Sequence, residues 1–248
     1  MDPIDRTAAP RTRRSPRRAG LALLVALGIL ASTPLGAFAI ESTSTGGIRG
    51  ATVRTPTEPI RTDVLIYRRS AMVTQYTNYW CVPATTQSMV NLIRGTSDRS
   101  RATQARYYTT TRAHNKYRYA TRGNDPQGWA WALTNYSGRG YGALSFASRD
   151  DAIEAIRDSI ARTGHPVGVT VRRGTHAWVI LGYRSEIHPD DPDTDRILGF
   201  YVSGPLGSPT DPWPYQYWSL GKFREVYTRY HEWQRSVIWE GRYVVVAQ

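Results

Sequence analysis

Apolar residues along the chain fall into two periodicities. After Cys81, the side chains of Val82, Met89, Val90 and Ile93 recur at helical spacing. Pro83 stands in the first turn and Gly95 just past the last periodic position, so the pattern predicts a helix with both ends marked. A second helix is predicted to open at Asn124-Asp125-Pro126 and run through Trp129, Trp131 and Leu133. A third spans roughly residues 150–162, with Ile153, Ile156 and Ile160 on one face, acidic residues at its start and Gly164 as its stop. From residue 167 onward the periodicity shortens. Residues 167–171, 177–181 and 197–202 are β-branched or aromatic runs bounded by turn residues. Residues 237–239 and 243–246, either side of Glu240-Gly241, predict a terminal hairpin. Helices first and strands afterwards imply an α+β domain, with N-terminal helices packed on a C-terminal antiparallel sheet.

The start of the chain reads as an export signal. Five arginines between Arg11 and Arg18 precede an apolar run from Ala19 to Ala31, and Ala37-Phe38-Ala39 is a small-x-small cleavage site. Residues 1–39 are therefore assigned as a signal peptide cut after Ala39. The run is shorter than the roughly 20 residues that span a bilayer, so no membrane anchor is expected after cleavage and the product is secreted or extracytoplasmic. Arg17-Arg18 leaves a twin-arginine route open beside the general one. Residues 40–62, rich in Ser, Thr, Gly and Pro, form a disordered linker, and residues 63–248 one domain without internal repeats. Losing six arginines and two aspartates with the signal lowers the formal net charge from +12 to +8. That balance suits anionic partners such as cell-wall material. The arginines are scattered and no nucleic-acid motif accompanies them, so nucleic acid is excluded.

Cys81 is the single cysteine, so it is either a small core residue or a chemical group. Its place at a helix start exposes it to unpaired amides and the positive end of the dipole, which favour a thiolate. Gln75 precedes it by six residues and could supply a side-chain donor to an oxyanion. A thiolate nucleophile also needs a base. His114 lies in a basic, tyrosine-rich stretch, His165 in a turn, His188 in an acidic loop and His231 in a late aromatic segment. His176 stands at the lip of a buried strand, in Gly174-Thr175-His176-Ala177-Trp178, where an imidazole is held yet accessible. It is the favoured base, with the other four still open.

Gln-x5-Cys followed by Pro83-Ala84, and then a glycine-flanked histidine opening an apolar strand that ends in Gly182-Tyr183, resembles the papain-like cysteine peptidases. Within them the chain is most similar to the bacteriocin-leader-processing branch and its secreted single-domain relatives. The resemblance covers residues 63–205. It implies a papain-like fold and a thiol mechanism in which Cys81 is the nucleophile, His176 the general base and acid, and Gln75 the oxyanion donor. Family members follow the next strand with Asp-Pro, whose carboxylate orients the histidine. Here Ser203-Gly204-Pro205 keeps the proline and puts Gly204 in the carboxylate's place. Ser203, or Asp211 from the following loop, is then the candidate orienter.

These features predict an exported, monomeric single domain acting on a peptide or protein, without cofactor or metal. The acidic run from Glu186 to Asp195 lacks the glycine and distant glutamate of a helix-loop-helix calcium site and reads as a solvated hairpin loop. The late aromatics read as packing of a loop-rich flank, and the Arg/Tyr-rich residues 101–122 as a solvated insertion. Two rival functions share the fold: a catalytically weak or inactive module that binds peptide or cell wall, and a thiol acyltransferase.

Overall fold

The computed structural model describes residues 58–117, 122–208, 212–231 and 237–248. The expected signal peptide and most of the expected linker lie outside these residues. Among these residues five α-helices and seven strands make the predicted α+β class, with every strand pairing antiparallel. In chain order the strands are β1 (Ile60–Leu65), β2 (Gly142–Phe146), β3 (Val167–Val171), β4 (His176–His188), β5 (Asp191–Ser203), β6 (Gln216–Ser219) and β7 (Tyr243–Ala247). The helices are α1 (Cys81–Arg94), α2 (Arg101–Ala113), α3 (Pro126–Ser137), α4 (Arg149–Thr163) and α5 (Leu220–Val226). The sheet order is β2-β7-β3-β4-β5-β6, with β1 added alongside the outer half of β4.

Three helices follow directly from the sequence signals. Gly95, Gly138 and Gly164 end α1, α3 and α4 in left-handed conformations. Asp125 caps α3 through Gly128 N–H, and Ser148 caps α4 through the amides of Asp150 and Asp151.

Five expectations are corrected. Residues 101–113 form α2, which buries Thr103, Gln104, Tyr107 and Thr111, so they are no solvated insertion. Residues 237–239 are not a strand; β7 pairs instead with β2 and β3, and β2 interrupts the helical half of the chain. The acidic run is mostly strand, since β4 and β5 extend to a tight turn at Pro189-Asp190. Strand β1 starts at Ile60, inside the expected linker. Helices also cover both faces of the sheet. On one face α1 and α3 pack against Ala177, Val179 and Leu181; on the other, Ile153, Ile156 and Ile160 of α4 and Phe223 of α5 pack against Trp178 and Ile180. Alternation along β4 feeds both cores.

Candidate active site

Cys81 is the first residue of α1, and Ala84 N–H closes the first turn on Trp80 C=O. No side chain caps this end, so the opening amides remain for a ligand or a reacting group. Thr85 fixes the turn against the sheet: its hydroxyl lies 2.6 Å from Cys81 C=O and 3.4 Å from Ala177 C=O. The Cys81 thiol is enclosed although the residue as a whole is only partly buried. Burial pushes its pKa up, while the amides of Ala177, Val82 and Cys81 itself pull the other way.

His176 opens β4 and lines the same cavity, of about 250 Å³, as Cys81. Asn78, Asn124, Trp129, Thr170 and His231 also contribute to its walls. Burial, with Arg172 as a lesser cause, lowers the His176 pKa to about 4. Its Nε2 is buried without a hydrogen-bond partner among the described residues.

A strained turn delivers His176. Val171 and His176 pair across β3 and β4, and between them Arg172 and Arg173 both take positive φ, 51° and 64°. Gly174 N–H donates to Val171 C=O at 3.1 Å, closing a type I′ turn. A positive φ costs an L-residue with a side chain about 1–2 kcal/mol. Contacts from the end of α5 and the segment after it hold the turn. Arg172 N–H donates to Val226 C=O at 2.9 Å, Arg173 N–H to the Thr228 hydroxyl at 2.8 Å, and His231 N–H to Arg173 C=O at 3.2 Å. Gly174 packs on the Tyr230 ring, where a Cβ would come within 2.5 Å of the ring carbons.

Gln75 is not among the cavity-lining residues. Its Nε2 donates to Thr77 C=O at 2.8 Å, and its backbone N–H to Pro205 C=O at 2.8 Å. Its Oε1 is buried without a partner among the described residues. The side chain thus braces the turn that leads into α1, and one N–H of its amide is committed there. Asn78, on that same turn, is exposed and reaches the cavity wall. Asn124 lies opposite, seated by the cap of α3: the fully buried Asp125 accepts from Gly128 N–H at 2.8 Å and from Tyr117 N–H at 3.1 Å.

The space beside residue 204, which lacks a carboxylate, is bounded by an indole. Register places Gly204 just beyond the Val179–Ser203 pair, opposite Trp178. A Cβ on Gly204 would lie 3.1 Å from Trp178 Nε1 and 3.6 Å from Trp213 Cε3. The Ser203 hydroxyl donates to Trp213 C=O at 3.3 Å, so it is committed away from His176. Asp211 lies outside the described residues. Sequence reasoning also missed His231. It lines the cavity, and its Nδ1 is 2.7 Å from Glu240 Oε1. No local pattern signals this, because the backbone of the β3–β4 turn brings His231 there.

A thiol at an uncapped helix start and a strand-opening histidine on one cavity are the parts of a thiol peptidase centre. Residues 68–234 match the model of the Peptidase_C39 like family. The chain belongs to that family. No curated protein matches the chain. Membership accounts for the papain-like combination of helices on an antiparallel sheet, and it supports a cysteine-peptidase-type hydrolase. The matched span holds both halves of the cavity, from the turn before α1 to His231.

Proposed function

We propose that this Peptidase_C39-like chain is an exported thiol hydrolase that cleaves peptide or related amide bonds. One observation carries the reading: Cys81 at the start of α1 and His176 at the start of β4 line one cavity. In this mechanism Cys81 sulfur attacks the carbonyl carbon as His176 takes the thiol proton. The tetrahedral oxyanion meets the backbone amides at the start of α1. His176 then gives its proton to the departing amine, leaving a thioester on Cys81. Water, deprotonated by His176, hydrolyses the thioester and restores the thiol. Gln75 would join the oxyanion site by its second amide N–H, or by releasing Thr77. Peptide or protein substrates fit this chemistry, and the export signal read over residues 1–39 would put them outside the cytoplasm.

A peptide mixture incubated with the chain and read by mass spectrometry tests the proposal. Wild type should generate new termini, and Cys81→Ala or His176→Ala should lower the rate by at least about a thousandfold. Cleavage that survives in either variant would refute it. A second reading, a weakly active binding module, is favoured by the glycine at residue 204, which offers no carboxylate to orient His176. That reading predicts peptide binding without turnover.

A further inference from the structure

A second depression, of about 440 Å³, adjoins the Cys81–His176 cavity, and Tyr230 and His231 form part of both. Its cations come from three separate places in the chain. Arg149 opens α4, Arg173 occupies the β3–β4 turn, and Arg229 follows α5. Glu240 is the one carboxylate among the residues lining it, and it is bonded to His231 Nδ1. Arg149 and Arg229 lie 5.3 and 5.8 Å from the centre of the Tyr243 ring, and Arg149 Nε is 3.3 Å from its hydroxyl. Burial alone would raise the Tyr243 phenol, yet the two arginines bring it below its usual range.

What marks Arg149 and Arg229 is that they gather on one ring with no carboxylate between them. Arg157, Arg184 and Arg224 each pair with a carboxylate. Among the described residues neither Arg149 nor Arg229 has an ion pair; a neutral phenol holds them together. Like charges gathered on one ring repel unless an anion joins them. Arg173 is held there at positive φ, a conformation that glycine or asparagine adopts with less strain.

We propose that this depression is an anion subsite that holds a carboxylate of the peptide substrate, so the chain selects acidic peptides. The inference rests on the thiol-peptidase reading of Cys81 for what the bound peptide undergoes. Guanidinium forks match carboxylates in two-point geometry, and the shared Tyr230–His231 wall lets one extended peptide occupy both cavities.

Equilibrium binding to the chain carrying Cys81→Ala tests the subsite independently of turnover. Two dye-labelled heptapeptides, identical except for Glu or Gln at three positions, serve as probes. The Glu peptide should bind at least about tenfold tighter, as expected for charge-assisted hydrogen bonds. Adding Arg149→Gln and Arg229→Gln should shrink the gap below about threefold. The exposed Arg229→Glu alone should also narrow it, and serves if the double variant folds poorly. A charge-matched control, Arg94→Gln with Arg139→Gln, should keep the gap. Equal binding of the two peptides, a gap that survives both subsite variants, or its loss in the control would overturn the subsite. A chain that shows the gap but cleaves nothing would retain the subsite and refute only the hydrolase.

Discussion

Cys81 and His176 face the same cavity but are held by opposite means. Short-range structure seats the thiol: a turn through residues 77–80, the uncapped start of α1, and Thr85 one helical turn on. Long-range structure seats the imidazole: two arginines at positive φ, clamped by the backbone and side chains of residues 226–231. The thiol has amides around it, whereas Nε2 of the imidazole has no partner among the described residues, and residue 204, where a carboxylate would stand, is a glycine against Trp178. Strain near the base and ease at the nucleophile mean that the histidine limits the site. Strain of this kind persists only where the surroundings over-determine it, and here they do.

Three experiments can break or sharpen that contrast. The largest effect should come from pH. A His176 held near 4 when folded, against about 6.5 when unfolded, binds fewer protons in the native state. Its contribution to stability is therefore complete above about pH 6.5 and lost as pH falls toward 4. Chemical denaturation at several pH values should show wild type losing on the order of 2 kcal/mol more than His176→Gln across that window. Parallel curves would mean that the imidazole is freely solvated.

Next in size is Gly204→Asp. The new Cβ requires Trp178 to give by a few tenths of an ångström, and the carboxylate would then lie on the Trp178 face of β4 beside His176. A gain of about tenfold in kcat, with KM little changed, is expected from restoring an orienting group. A folded variant with unchanged kcat would show that the histidine is already well held.

Arg172→Asn should have the smallest effect. Asparagine tolerates positive φ better than arginine, so the midpoint of thermal unfolding should rise by the equivalent of about 0.5–1 kcal/mol. Removing the nearby cation should also relax the depression of the His176 pKa. A fall in stability would mean that the arginine side chain contributes more than its backbone strain costs.

The same division between local and distant explains what the sequence could reveal. Helices α1, α3 and α4 end in left-handed glycines and carry apolar stripes, so they were legible, as was β3. Helix α2 was not, because its buried face is Thr103, Gln104, Tyr107 and Thr111 rather than aliphatic. The β2–β7 pairing joins residues on either side of most of the sheet, and no run of sequence encodes a partner that remote. At the site, Cys81 and His176 could be read from their flanks. The committed amide of Gln75, the indole against Gly204 and the Glu240-bound His231 depend on packing. The clamp on the β3–β4 turn, which decides how the base is held, belongs wholly to that second kind.

Because Cys81 is the only cysteine, the mass of the intact chain reports directly on the central thiol. The most direct measurement is the rate at which a peptide-like thiol electrophile adds to it near neutral pH, in wild type and in His176→Ala. If the two residues act as one centre, a single adduct forms at least about tenfold faster than on free cysteine, and His176→Ala abolishes the excess. A rate equal to that of free cysteine, unchanged by His176→Ala, would contradict the account.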